Sequence, residues 1–154
     1  MTQDGTIRPE GMGFQEANRE LKDRILAAWS WVKPRWLHAD DGFTVVAVEH
    51  DEIVGFISVQ WRQLPPPLAG VEEGFVDIID VSASHRRRGI GRRLVELAIA
   101  RCRARGVYQV RAWSSQDKVE AIPMWRALGF GLCPATEHPR GQAVRGYFVA
   151  FPLA

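Results

Sequence analysis

The stretch Val76-Asp77-Ile-Ile-Asp80-Val81-Ser82-Ala-Ser-His85-Arg86-Arg87-Arg88-Gly89-Ile90-Gly91-Arg92-Arg93-Leu94 decides the fold. Its first six residues are β-branched and apolar around two aspartates, and read as a strand. From Ile90 onward the apolar positions Ile90, Leu94, Leu97, Ala98 and Cys102 recur at helical spacing, and Gly106 closes that helix. A short basic loop joins the two, with Gly89 and Gly91 at the helix opening. Free N–H groups at a helix N-terminus, at the positive end of its dipole, bind phosphate. Gly89 and Gly91 allow the backbone to approach an anion closely and to adopt positive φ. The arginines add charge and fork-shaped donors.

Outward from this unit, periodicity predicts the remaining elements. A strand over Val107–Trp113 completes a βαβ unit. Upstream, Phe43–Val48 and Ile53–Trp61 form a hairpin through His50-Asp51-Glu52. Leu64–Gly74 carries Pro65, Pro66 and Pro67 and reads as a loop. A first strand falls at Thr6–Arg8. A helix falls over Phe14–Trp31, with Leu21, Ile25, Ala28 and Trp29 on one face and Pro34 ending or kinking it. Downstream, a short helix spans Val119–Leu128 and stops at Gly129; strands follow at Phe130–Cys133 and Val144–Phe151. The order β, helix, β, β, β, α, β, α, β, β predicts an α/β sheet of mixed direction.

Composition bounds the class. The 154 residues, 46% hydrophobic and 25% charged, suit one globular domain and exclude disorder as the main state. Cys102 and Cys133 lack the spacing of a disulfide framework or a zinc knuckle. No apolar run reaches membrane-spanning length, and Met1–Gly13 has no apolar signal core, so a cytoplasmic protein is expected. Residues 86–105 hold eight arginines and one acid, a local charge of +7. The rest holds twelve basic and seventeen acidic residues, or −5. The arginines are not interleaved with aromatics, which argues against nucleic acid and for a small anion at one turn.

Two common phosphate motifs fail on specific residues. A Walker loop requires Gly-Lys-Ser/Thr, whereas Gly91 is followed by Arg92 and Arg93. A Rossmann fingerprint requires a small residue where Leu94 stands, and an acid about 20 positions on, where Val110-Arg111-Ala112 stands. The run Arg86–Gly91 has instead the form Arg-x-x-Gly-x-Gly. Ala121-Ile-Pro123-Met-Trp125-Arg-Ala-Leu-Gly129-Phe130 resembles Ala-x-x-x-Tyr-x-x-x-Gly-Phe. In these motifs and their spacing the chain resembles the GNAT N-acetyltransferase superfamily, well over about residues 43 to 151 and loosely before that.

That resemblance implies a single domain over 1–154, with a mixed, mostly antiparallel sheet flanked by helices. A central parallel pair, 75–81 and 107–113, would splay around the thioester of acetyl-CoA. The backbone amides of Arg86, Arg87, Arg88, Gly89, Ile90 and Gly91, with Arg92, would hold the pyrophosphate. Asp80, Val81 and Ser82 would pair with the pantetheine amides, and residues 1–42 would shape the site of an amine acceptor. The partners implied are acetyl-CoA and an amine, with no metal, nucleic acid or membrane, in a monomer or homodimer.

The chemistry needs a neutral amine, a donor to the oxyanion and a route out for the thiolate. A backbone N–H near Val81 suits the oxyanion. Asp77 and Asp80 are candidate bases; an odd spacing points them to opposite faces of a regular strand, unless a bulge intervenes. Glu72 and Glu73 lie at the loop rim, placed to draw in a cation. Cys102 reads as core. Trp125 stands where the family pattern has a tyrosine acid, and an indole N–H donates hydrogen bonds without being a usable acid. Tyr108 and Tyr147 are alternatives that spacing does not place. Lys118 stands where the family often has Asn, within possible reach of CoA. Pro123 belongs in a first helical turn. Trp31, Trp36 and Trp61 either pack at the core's edge or line an acceptor pocket.

Overall fold

The computed structural model describes residues 11–153, so the strand expected at Thr6–Arg8 lies outside the described residues. The elements are β1 (Met12–Glu16), α1 (Arg19–Ala28), β2 (Gly42–Glu49), β3 (Glu52–Gln63), β4 (Glu72–Val81), α2 (Ile90–Arg105), β5 (Gln109–Ser115), α3 (Ala121–Ala127), β6 (Gly131–Glu137) and β7 (Val144–Pro152). Single 3-10 turns cover Pro34–Trp36 and Ala83–His85. The strands form one seven-stranded sheet in the order β1-β2-β3-β4-β5-β7-β6. Pairing is antiparallel for β1 with β2, β2 with β3, β5 with β7 and β6 with β7, and parallel for β4 with β5. This is the mixed, mostly antiparallel α/β sheet that the sequence predicts. Among the described residues no helix is long and apolar enough to cross a membrane.

The chain divides into two compact units, one running up to Trp61 and including Asp77–Arg101, the other made of Arg62–Val76 and Cys102 onward. In the first, Phe14–Glu16 are strand and not the start of a helix. Phe14 pairs with Ala47 and Glu16 with Val45. The helix begins later because the Asn18 side chain accepts the Leu21 N–H at 2.9 Å, an N-cap that fixes its start. It ends at Ala28, before Pro34, which instead opens a 3-10 turn. Leu21, Ile25 and Trp29 bury one face of α1 against Val46, Phe56 and Ile78, with Trp29 edge-on to Phe56 at 5.0 Å. Ala28 is exposed, so the apolar stripe is narrower than its periodicity suggests. The β2–β3 hairpin turns on His50 and Asp51, with φ of 50° and 66°, the pattern of a tight type I′ connection. Along α2 of this unit, Ile90, Leu94, Val95, Ala98 and Ile99 are buried at helical spacing.

In the second unit the proline loop ends sooner than expected. Leu64 N donates to Val71 O at 2.9 Å, and β4 starts at Glu72. β4 runs parallel to β5 with Gly74, Phe75 and Val76 opposite Val110, Arg111 and Ala112. Glu73 is therefore no rim residue. It is 1% exposed, and Arg111 donates to it in a fork at 2.9 and 2.6 Å, joined by Gln109 at 2.8 Å. The Arg111 guanidinium also lies 4.9 Å from the rings of both Phe75 and Phe148. Burial pushes the Glu73 carboxyl up, but the bonds from Arg111 and Gln109 and the charges of Arg111 and Arg62 outweigh it, and it ends below its ordinary value. Glu72 pairs with Arg105 at 2.9 Å.

Two outcomes are expected. A Cβ on Gly42 would run into the carbonyl of Val59 and lie 2.9 Å from its carbon, whereas one on Gly13 meets nothing within 4 Å. Gly42→Ala should lower the urea-unfolding free energy by about 2 kcal/mol or more, and Gly13→Ala by far less. Because the folded Glu73 carboxyl is depressed, its contribution is complete above the unfolded value of about 4 and fades as pH falls through the folded value. Urea midpoints from neutral to acid pH should drop for the wild type and drop less steeply for Glu73→Gln. That variant starts less stable at neutral pH because Arg111 loses its charged partner.

Candidate active site

β4 passes into α2 through the turn Ser82–Gly89. Ser82 N donates to Val54 O at 2.8 Å, and His85 N returns to Ser82 O at 2.9 Å. Arg86 then takes φ −72°, Arg87 +64° and Gly89 +81°. Left-handed residues placed this way turn successive N–H groups into a concavity that accepts an anion. Arg93 N donates to Gly89 O at 3.0 Å, so the helical bonds start at Gly89 and the amides just beyond it are end groups. A Cβ on Gly89 would meet no protein atom within 4 Å, which leaves room beside the backbone. Ile90 is buried and pins the helix start, while Gly91 and Arg92 lie in its first turn. Two of the groups expected to meet pantetheine already have protein partners: Val81 O accepts from Arg86 Nε at 3.0 Å, and Ser82 N is bound to Val54.

The arginine charge is far less concentrated in space than along the chain. Arg86 pairs with Asp80 at 3.3 Å, Arg88 with Glu49 at 2.7 Å, and Arg92 and Arg93 with Glu96 at 3.5 Å. Arg101 pairs with Glu16 at 3.0 Å, and Arg103 lies 5.7 Å from the Phe151 ring. Glu49 and Glu16, far off in the sequence, and Asp80, just before the segment, supply three of these partners, so the count of +7 overstates the local field. Glu49 is held below the usual carboxylate range, chiefly by its hydrogen bond from Arg88.

Asp77 and Asp80 have different partners. Asp80 accepts from Trp29 Nε1 at 3.0 Å and from Arg86. Asp77 Oδ2 lies 2.8 Å from His38 Nε2. His38 is tied to the sheet by its N–H to Ser58 Oγ at 2.8 Å and its carbonyl to Thr44 Oγ1 at 2.9 Å. Thr44 and Ser58 share the strand parity of Val46 and Phe56, which pack on α1. On its far side, His38 Nδ1 lies 3.0 Å from the exposed Asp41. Burial pushes the Asp41 carboxyl up, but bonds from Gln60 and His38 bring it below its ordinary value.

Trp125 is 2% exposed and packs edge-on against Phe130 at 4.8 Å. Its Nε1 and that of Trp113 are buried with no hydrogen-bond partner among the described residues. Pro123 is the third residue of α3, where a first turn tolerates it. Lys118 and Tyr108 are exposed and Tyr147 is half-buried. Trp31 is exposed and sits 6.4 Å from Trp36, while Trp61 packs on Phe43 at 5.3 Å. Cys102 is buried, as its place on the apolar helix face predicts. His38 and Glu49 escape sequence reasoning because their partners, Asp77 for the one and His85 and Arg88 for the other, lie far along the chain. The one available signal is a histidine or an acid bordering an apolar strand.

The comparisons agree with the fold. The model of the acetyltransferase (GNAT) family matches residues 12–130. No curated protein sequence matches the chain. Among solved structures, the ribosomal-protein-S18-alanine N-acetyltransferase from Escherichia coli is 14% identical at TM-score 0.73, covering 93% of this chain and 94% of its own. The ribosomal-protein-alanine N-acetyltransferase from Brucella melitensis is 20% identical at 0.73, with 91% and 99% covered. Arabidopsis thaliana NAA60 in complex with acetyl-CoA is 14% identical at 0.76, with 92% and 98% covered.

The left-handed φ of Arg87 yields a further expectation. A side chain there costs about 1 kcal/mol, which glycine does not incur. Arg87→Gly should leave the urea midpoint unchanged or slightly higher, whereas β-branched Arg87→Val should lower it clearly.

Proposed function

The chain belongs to the acetyltransferase (GNAT) family, and we propose that it is an acetyl-CoA-dependent N-acetyltransferase acting on a primary amine by direct attack in a ternary complex. Acetyl-CoA is its co-substrate, a reading supported by family membership and by the neighbour bound to it. The observation that carries the proposal is the turn Ser82–Gly89, with its left-handed residues, open space beside Gly89 and end-group amides at the start of α2. Those amides hold the pyrophosphate. Because most nearby arginines have acidic partners, the backbone supplies more of the recognition than the side chains do.

Asp77 is the stronger candidate for the base. Asp80 is already engaged by two donors, Trp29 and Arg86. Asp77 instead meets an imidazole whose other nitrogen reaches an exposed carboxylate. The neutral amine attacks the thioester carbonyl, the C–N bond forms and the C–S bond breaks. The nitrogen's proton passes to Asp77, and CoA leaves as the thiolate. Trp125, at the family's tyrosine position, cannot supply a proton to that sulfur. A thiol pKa of about 8.5 makes the thiolate a workable leaving group without an acid. Two free cysteines suit a cytoplasmic setting.

A second reading, an acyl-CoA-binding domain without catalysis, is favoured by one observation: a tryptophan at the family's tyrosine position. Calorimetry and thiol release separate the two. CoA should bind at micromolar concentration, and Gly89→Val should weaken it at least about tenfold, since it adds bulk beside the amides at a left-handed position. No binding at high micromolar CoA would overturn both readings. Release of thiol with some amine supports the enzyme, and tight binding with no release across a wide amine panel supports the binding domain. With an accepted amine, Asp77→Asn should lower kcat/KM by about 100-fold or more, and Asp80→Asn by less.

A further inference from the structure

One carboxylate anchors the turn from outside it. Glu49 is the last residue of β2, beside the hairpin turn, and its side chain is 13% exposed. Its Oε1 lies 3.1 Å from His85 Nε2. Arg88 donates to the same carboxylate through Nη1 at 3.3 Å and Nη2 at 2.7 Å. The other nitrogen of His85, Nδ1, lies 2.8 Å from Ser82 Oγ and 3.0 Å from Ser84 Oγ. His85 and Arg88 bracket Arg86 and the left-handed Arg87. The two residues that Glu49 holds are therefore the ends of the segment whose backbone takes an unfavourable conformation.

The sign of the charge makes this informative. A carboxylate next to a site for a doubly anionic pyrophosphate repels the ligand, and here it also neutralises an arginine that would otherwise attract it. Coulomb's law alone predicts that CoA would bind better without Glu49. The arrangement makes sense only if fixing the backbone matters more than the charge it removes. We propose that Glu49 is a positioning residue for CoA recognition, which through His85 and Arg88 holds the Arg86–Gly89 backbone in its anion-binding conformation. The inference rests on the proposed reading of this turn as the pyrophosphate site. Glu49 itself touches no substrate, and Arg88 contributes its backbone amide rather than its guanidinium.

Glu49→Gln keeps the size and removes the charge; Arg88→Met removes the other half of the pair. Full-length wild type and both variants are titrated calorimetrically with CoA and with pantetheine, which lacks the pyrophosphate, and their urea midpoints are measured. Glu49→Gln should weaken CoA about tenfold or more, the scale of one charge-assisted hydrogen bond, while pantetheine affinity changes much less. The double variant should be no weaker than the worse single one. CoA binding to Glu49→Gln as tight as, or tighter than, wild type overturns the proposal, because charge then outweighs geometry. An equal loss for CoA and pantetheine also overturns it, since that marks a general loss of structure. If Glu49→Gln fails to fold, Arg88→Met decides between the same outcomes. Wild-type binding that is lost in Gly89→Val but kept in Glu49→Gln refutes this inference alone, whereas wild type that does not bind CoA refutes the reading beneath it.

Discussion

The passage from β4 into α2 is the constraint on which the rest depends. Eight residues, Ser82–Gly89, must carry the chain from a strand into the first turn of α2. That passage is costly at one point, because it places Arg87, a residue with a side chain, at positive φ. It persists because neighbouring groups over-determine it. Ser82 is bonded to β3, Arg86 to the Val81 carbonyl, and His85 and Arg88 to the end of β2. The hairpin of β2 and β3 is thus more than a core element. Its main-chain carbonyl at Val54 and its terminal carboxylate at Glu49 set the shape of a loop some thirty residues later.

The same reasoning changes what the arginines mean. A run of eight along one segment looks like an electrostatic trap for a polyanion. In space six of them are distributed among Asp80, Glu49, Glu96, Glu16 and Glu72, mostly at exposed positions where each pair is worth little to stability. What survives is a local device made of oriented peptide dipoles with few free side-chain charges. Such a device recognises a compact anion at a defined place and has little affinity for an extended one. It fits a nucleotide-bearing cofactor better than a nucleic acid.

How much of this was legible follows from the range of each interaction. The β4–α2–β5 unit, the hairpin, α3 and the last two strands could be read because their signals are local: alternation, helical spacing, glycines at 89, 106 and 129. The N-terminal helix was misjudged at its start because Phe14 suits a helix stripe and a strand equally. Only the pairing with β2 and the Asn18 cap separate the two. Glu73 was misread as a loop residue because its partner, Arg111, lies 38 positions on. The partners of Asp77 and Asp80 were hidden because His38 and Trp29 belong to another part of the chain.

Trp125 ties the site's chemistry to its packing. A fully buried indole N–H without an acceptor costs roughly 1–3 kcal/mol, which the fold tolerates in α3 beside Phe130. On the proposed reading, the tryptophan stands where the family pattern has a tyrosine acid and cannot act as one. The leaving group then departs charged and is protonated later by water. A tyrosine would couple protonation to bond breaking; a tryptophan separates them. The whole demand for proton transfer during the chemical step then falls on the amine side. In the first unit, Asp77, His38 and Asp41 form a chain from a half-buried carboxylate, through a buried imidazole, to an exposed carboxylate, a chain that gives the proposed base Asp77 a polar partner on its own side of the molecule.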